Sequence, residues 1–84
     1  MNNDQKLQKL VSFLESKDIT VKSDRGNFIG GLVRYYEDQY LYLNRKLDTN
    51  AKIKLILSEI KELNFNENQI EEDILTIIKY DREN

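Results

Sequence analysis

The amino-acid sequence predicts a single α+β domain over residues 1–84, with a small three-stranded antiparallel sheet and about three helices in the order α-β-β-β-α-α. Three observations support this prediction. Apolar residues recur at helical spacing near both ends of the chain, whereas β-branched and aromatic residues are concentrated in the middle. The chain also contains no proline and no internal repeat, so nothing marks a boundary between two domains.

The first predicted helix covers residues 3 to about 17, and a polar residue at positions 2–4 can cap its first turn. Its apolar face consists of Leu7, Leu10, Val11 and Leu14. The alternation of Ile19 and Val21 with polar residues then predicts a short strand. Residues 23–27 predict a turn, because glycine and asparagine tolerate the backbone angles of a chain reversal.

Residues 28–36 and 40–44 are rich in β-branched and aromatic side chains, and they predict an antiparallel hairpin. Two registers were compared for it. A two-residue turn pairs Leu41 with Tyr36, whereas a three-residue loop pairs Leu41 with Tyr35. The three-residue loop is preferred because it builds the more apolar face.

The preferred register divides the hairpin side chains between two faces. The face that is expected to point toward the core carries Ile29, Val33, Tyr35, Leu41 and Leu43. The opposite face carries Phe28, Leu32, Tyr36, Tyr40 and Tyr42 around Arg34. Because large apolar patches on the surface of folded proteins usually mark interaction sites, we expect either the C-terminal helix or a partner to cover this second face.

The C-terminal half predicts two amphipathic helices. The first has Asp48 or Thr49 as its N-cap and ends near residue 64. Its apolar stripe consists of Ile53, Ile56, Leu57, Ile60 and Leu63. The spacing of a capping box at residues 66–69 predicts the start of the third helix, which continues to about residue 80. The apolar face of that helix consists of Ile70, Ile74, Ile77 and Ile78.

The composition narrows the classes of partner and compartment. Hydrophobic residues make up 39% of the chain and charged residues 33%, which is the balance of a folded protein. The net charge of -2 disfavours nucleic acid as the main partner, because binding to phosphates requires an excess of basic residues. A nucleic-acid-binding alternative would use Lys6, Lys9, Arg45, Lys46 and Lys52. The absence of cysteine favours a cytoplasmic location, and the sequence lacks a signal peptide and the ~20 apolar residues of a membrane span.

The absence of histidine and cysteine removes tetrahedral zinc sites, Ser-His-Asp triads and thiolate nucleophiles from consideration. The sequence therefore predicts no catalytic residue, no metal and no cofactor. The remaining candidates for ligand binding are Glu59 and Glu62 on the second helix and the glycine-containing segment 25–31. Their simpler interpretations are solvated charge on an exposed helix face, and a bulge or close helix approach at the paired glycines.

The strand end Leu43-Asn44 is followed by a helix in which Glu59 lies between Ser58 and Glu62. In this spacing the segment 31–63 resembles the hairpin and active-site helix of small bacterial zinc metallopeptidases that cleave phage repressors. The resemblance places Glu59 at the catalytic glutamate of the HExxH motif, and Ser58 and Glu62 at its two histidines, so it implies a relative without zinc. The glycine-glycine strand also resembles small bacterial proteins of unknown role.

The sequence predicts a non-enzymatic protein-interaction domain whose partner is another protein or a second copy of the chain. The predicted contact surface consists of Phe28, Leu32, Arg34, Tyr36, Tyr40 and Tyr42. The alternative is a small ligand-binding domain, or a zinc-free relative of the metallopeptidases, that uses Glu59 and Glu62 with Arg34 or the segment 25–31.

Overall fold

A computed structural model describes the backbone of residues 2–83 and the side chains of residues 2–81. This part of the chain contains three α-helices and three strands in the order α1-β1-β2-β3-α2-α3. The α+β class and the order of the elements are therefore confirmed. No helix in the described range is long and apolar enough to cross a membrane.

Helix α1 covers Asn3–Ser16 and begins with a capping box, in which the Asn2 side chain accepts from the Gln5 amide while the Gln5 side chain accepts from the Asn2 amide. Strand β1 covers Ile19–Asp24, so part of the predicted turn at residues 23–27 belongs to this strand. Lys17 and Asp18 connect the helix to the strand, and Asp18 has a φ of 63°, a conformation that aspartate tolerates.

The predicted hairpin is formed by strand β2, which covers Gly30–Tyr35, and strand β3, which covers Asp38–Asn44. Strand β2 begins two residues later than predicted, and β3 begins two residues earlier. The strand order in the sheet is β1-β3-β2. Strand β2 is antiparallel to β3, whereas β1 is parallel to it. The prediction of a purely antiparallel sheet is therefore wrong, and the sheet is mixed.

The connection between β1 and β2 explains why the sheet is mixed. The segment between them passes the carboxyl end of β3, so β1 and β2 lie on opposite edges of the sheet. The buried side chain of Asn44 holds this segment, since its Nδ2 donates to the carbonyl oxygens of Gly26, at 2.8 Å, and of Phe28. The Asn44 Oδ1 accepts from the Lys46 amide at 2.9 Å, so both ends of the buried amide are hydrogen-bonded.

The hairpin register differs from both registers compared above. Leu41 pairs with Leu32, and the turn consists of Tyr36 and Glu37. The sequence prediction was wrong because it began the last strand at Tyr40, whereas β3 begins at Asp38. The earlier start of β3 reduces the loop to two residues and moves every cross-strand pair.

Helix α2 covers Thr49–Leu63, and its N-cap Asp48 accepts from the Ala51 amide at 2.8 Å, as the sequence indicated. The helix ends at Asn64, whose φ of 53° is the left-handed conformation common after a helix. The capping-box prediction at residues 66–69 was wrong as a start for α3. Asn66 caps only a short 3-10 turn.

Helix α3 covers Glu72–Glu83, so it starts later and ends later than predicted. Helix α1 packs against α2, α3 and β1, and α2 packs against β2. The core between these elements contains fully buried residues from both helices and sheet, which are Leu10, Leu14, Ile19, Leu41, Ile56 and Ile74. Burial of these apolar side chains is the main stabilising contribution to the fold.

One exposed ion pair joins the first and last helices. Lys9 Nζ donates to Asp73 Oδ2 at 2.7 Å. The hydrogen bond and the negative charge of Asp73 raise the pKa of Lys9 above its ordinary value. Because both side chains are largely exposed, water and salt screen this attraction, and it contributes little to stability.

Candidate interaction surface

The two faces of the sheet lie in different environments. Side chains alternate along each strand, and the register places Val21, Leu32 and Leu41 on one face. The core cluster contains Leu41, and Val21 and Leu32 pack against it, so this face is the one that the helices cover. The other face, which we call the open face, consists of Thr20, Lys22, Gly31, Val33, Tyr35, Tyr40 and Tyr42.

None of the open-face side chains belongs to the core cluster or packs against it in the described part of the chain. Val33 and Tyr35 on the edge strand β2 are 48% and 62% exposed. Tyr40 and Tyr42 on the central strand are half-buried, with their ring centroids 6.3 Å apart. Lys22 Nζ lies 4.8 Å from the centroid of the Tyr40 ring, a geometry that favours a cation-π attraction.

The structure places the six predicted contact residues in four locations, the last of which is the covered side of the sheet. Tyr40 and Tyr42 lie on the open face. Phe28 precedes β2 in a loop, and Tyr36 lies in the hairpin turn with 84% of its surface exposed. The open-face location of these two tyrosines on β3 agrees with the sequence-based assignment.

Leu32 and Arg34 were wrongly assigned to the face of Tyr40 and Tyr42. Leu32 pairs with Leu41 and is half-buried against the core, and Arg34 lies on the same side at the exposed end of β2. Val33 and Tyr35 were wrongly assigned to the core, and they lie on the open face instead. The shift in register causes both errors, because Leu41 pairs with Leu32 instead of Tyr35, and a displacement by an odd number of residues exchanges the faces of a strand.

A signal for the correct faces was present in the sequence. The three leucines of the hairpin, Leu32, Leu41 and Leu43, share the covered face, whereas the tyrosines of the two strands share the other. Placing the three leucines on one face would have assigned the two faces correctly. The preference for the most apolar face concealed it, because tyrosine was counted with the apolar residues.

Tyr36 at the hairpin tip has an unusual backbone conformation. Its φ of 56° is in the left-handed region, which is uncommon for a bulky residue. The other two non-glycine residues with positive φ in the described range are Asp18 and Asn64, which tolerate this region well. The Tyr36 ring contacts the Tyr35 ring edge to face, with centroids 4.6 Å apart. Two exposed tyrosine rings therefore project at the tip of the hairpin.

The candidates for ligand binding do not form a common site. Glu59 is half-buried and Glu62 is exposed on α2, and the Ser58 hydroxyl donates to the carbonyl oxygen of Leu55. Within the described residues, no three acidic side chains are grouped so that they could hold a metal ion. Neither carboxylate shares a hydrogen bond or an ion pair with Arg34 in that range.

The paired glycines in β2 have different surroundings. A Cβ atom on Gly30 would collide with the Tyr42 carbonyl oxygen and the Leu55 side chain of α2. Gly30 therefore allows the helix to approach the sheet closely, in agreement with the structural interpretation of this segment. A Cβ atom on Gly31 would have no heavy atom within 4 Å, so the open face has vacant space at this position.

Comparisons with protein-family models, curated proteins and solved structures find no match for this chain. The resemblance to zinc metallopeptidases therefore receives no support beyond the residues that suggested it. The geometry of the molecule itself therefore has to indicate its function, and the open face is its most distinctive surface.

Proposed function

We propose that this protein is a non-enzymatic interaction domain that binds a protein partner through the open face of its sheet. One observation supports this proposal more than any other. The central strand places Leu41 and Leu43 in the core, while the alternating Tyr40 and Tyr42 lie on a face that no described helix covers. An aromatic sheet face left uncovered in this way is typical of a contact surface.

The chemistry of the open face suits a protein partner. Tyrosine combines a large apolar ring with a hydroxyl group, and it is among the residues that contribute most to protein interfaces. Tyrosine side chains also lose little conformational entropy when they are immobilised. Lys22 adds a positive charge beside Tyr40 and favours a partner with an acidic group opposite it.

The size of the open face sets the expected strength of binding. Three strands with a spacing of ~4.8 Å and about six residues each at ~3.3 Å cover roughly 300 Å². A stable interface usually buries about 800 Å² on each partner. The face of a single copy therefore supports a transient interaction, unless the surface is extended by neighbouring groups such as the Tyr36 ring.

The strained hairpin tip also supports the proposal. A tyrosine in the left-handed region costs roughly 1–2 kcal/mol relative to a relaxed backbone. Tyr36 is 84% exposed, so burial in the core does not offset this cost. Such strain is characteristic of functional positions, and contact with a partner is a function that an exposed aromatic ring at this tip can perform.

The test is capture of partners from an extract of the source organism by the tagged protein, with bound proteins quantified by mass spectrometry. Tyr40→Thr and Tyr42→Thr are expected to lower the recovery of a specific partner about tenfold or more, as expected for contact residues at an interface. The matched control is Tyr80→Thr, since Tyr80 is 58% exposed but lies on α3. All variants are first checked for folding by circular dichroism.

A partner that is lost with both sheet variants and retained with Tyr80→Thr would support the open face as the contact surface. The proposal would be rejected if every captured protein were retained equally by all three variants. It would also be rejected if the wild-type protein captured nothing above the level of a tag-only control. Loss of the partner with Tyr80→Thr alone would place the contact surface on α3 instead.

A further inference from the structure

We infer that the outer edge of β2 pairs antiparallel with the same strand of a second copy of this chain. Such pairing would join two three-stranded sheets edge to edge and place both open faces side by side. The inference rests on the proposed function, because it identifies how the small open face is enlarged. It is supported by the direction of the backbone groups, the space at Gly31 and the distribution of charge.

The backbone of β2 has unpaired groups on its outer side. The Asn44 amide donates to the Ile29 carbonyl oxygen at 3.1 Å, so the backbone groups of Ile29 point toward β3. Directions alternate along an antiparallel strand, so the amides and carbonyls of Leu32 and Arg34 point away from β3. Because β2 is an edge of the sheet, these groups are available to another strand.

The other edge of the sheet is less suited to pairing. Strand β1 contacts α1 and carries Lys22 and Asp24, and charged residues on an edge strand, lysine above all, oppose strand addition. Strand β2 carries a single charged residue, Arg34, whose side chain lies on the covered side of the sheet. Edge pairing by a second chain is therefore favoured at β2.

A two-fold axis at Val33 gives a register in which the outward groups of Leu32 meet those of the second copy's Arg34. On the open face this register places Val33 beside Val33 of the second copy, and Gly31 beside the second copy's Tyr35. Gly31 has vacant space where a side chain would be, and Tyr35 is 62% exposed. An aromatic ring lying over a glycine of the neighbouring strand is a stabilising sheet contact.

The charges along the hairpin favour antiparallel pairing of this edge with a second copy of the chain. The turn end carries two exposed acidic residues, Glu37 and Asp38, beside one basic residue, Arg34. The opposite end of the hairpin carries three exposed basic residues, Arg25, Arg45 and Lys46, beside one acidic residue, Asp24. Among the described side chains, Lys9 and Asp73 form the only ion pair within 4.0 Å. None of the charged groups at the two ends of the hairpin therefore has an ionic partner within that distance.

Antiparallel pairing of two copies would bring each acidic turn beside the basic end of the other hairpin, twice in each dimer. Parallel pairing would place acidic turns together and basic ends together, which is unfavourable. The pairing would also double the open face from roughly 300 to roughly 600 Å², closer to the ~800 Å² of a stable interface. Complementary charge, space and backbone direction thus agree on a second copy.

The first test is amide hydrogen exchange measured by NMR over protein concentrations from about 1 mM downward. The Leu32 and Arg34 amides are expected to exchange at least about tenfold more slowly in the concentrated sample, because pairing protects them. The control amides are those of Val21 and Ser23. The Asp24 carbonyl accepts from the Arg45 amide, so the backbone groups of Asp24 point toward β3. Because directions alternate along the strand, the amides of Val21 and Ser23 point outward. Equal exchange of the Leu32 and Arg34 amides at all concentrations would overturn the inference.

A charge reversal tests the orientation of the two copies. Glu37→Lys or Arg45→Glu alone is expected to weaken dimerisation about tenfold at low salt, because each change places like charges together twice in the dimer. The double variant restores the opposite charges and should restore dimerisation. Light scattering follows the mass, which is 10.0 kDa for one chain. A double variant weaker than both single variants would overturn the antiparallel arrangement.

A third variant separates this inference from the proposed function. Arg34→Pro removes an outward amide without removing a hydrogen bond to β3, and Arg34→Ala is its matched control. We expect Arg34→Pro to abolish the dimer, whereas Tyr42→Thr lowers partner capture about tenfold or more and leaves the dimer intact. A dimer that survives Arg34→Pro refutes edge pairing alone, and a partner that survives Tyr42→Thr refutes the open-face proposal alone.

Discussion

Neighbouring residues of β3 lie in two contrasting environments. Leu41 is 0% exposed within the core, whereas Tyr42, the next residue, lies half-buried on the open face. The leucine is enclosed by helices, and the tyrosine contacts other side chains of the sheet. One side of this strand therefore contributes to the core, whereas the other side lies outside it and is partly exposed to solvent.

The largest expected difference is between Leu41→Ala and Tyr42→Thr. Leu41→Ala leaves a cavity in the core and should lower the free energy of unfolding by about 2–5 kcal/mol. Tyr42→Thr retains β propensity and loses only surface packing, so its cost should be no more than about 1 kcal/mol. Urea denaturation measures both values. Equal losses would show that the open face also belongs to the stabilising core.

The paired glycines allow the same comparison within β2. Both have φ near 152°, where any other residue is strained. Gly30→Ala adds a collision with the Tyr42 carbonyl and Leu55, so we expect a loss of about 3 kcal/mol or more. Gly31→Ala adds backbone strain alone, of about 1–3 kcal/mol, because nothing lies near its side-chain position.

Thermal and urea denaturation of the two glycine variants, measured side by side, check this ranking. A Gly31→Ala variant that is less stable than Gly30→Ala would contradict the assignment of the two glycines to different faces. The same experiment tests the packing of α2 on β2, since Leu55→Ala should partly rescue Gly30→Ala by removing one of the colliding groups.

The smallest expected effect is at the hairpin tip. Tyr36→Gly relieves a left-handed tyrosine, but glycine also loses more backbone entropy on folding, so the net gain in unfolding free energy should be below about 1 kcal/mol. Partner capture by this variant should decrease, because the exposed ring is removed. A variant that is clearly destabilised would show that the Tyr36 ring supports the fold, through its contact with Tyr35.

The helices were the most accurately predicted elements because their signals are local. Apolar residues at helical spacing identified α1 and α2, and Asp48 was a correct N-cap. The start of α3 was wrong because the capping signal at Asn66 serves a short 3-10 turn instead. A cap indicates that a turn begins, and the residues after it decide whether that turn continues as a helix.

The sheet was predicted less well because strand pairing is not local. The sequence identified the strand segments, but the parallel pairing of β1 with β3 depends on the path of the chain past Asn44. The register depends on a turn containing Tyr36, a residue type that does not signal a left-handed conformation. Tyr40 and Tyr42 were correctly grouped, whereas Val33 and Tyr35 were assigned to the wrong face.

The sequence by itself determined the α+β class, the order of the elements and the grouping of Tyr40 and Tyr42 on one face of the hairpin. These properties follow from composition and from periodicity within single segments. The tertiary structure alone decided which side of each strand faces the helices. That choice depends on hydrogen bonds between distant segments, and a displacement of one residue along a strand is enough to exchange the core face and the open face.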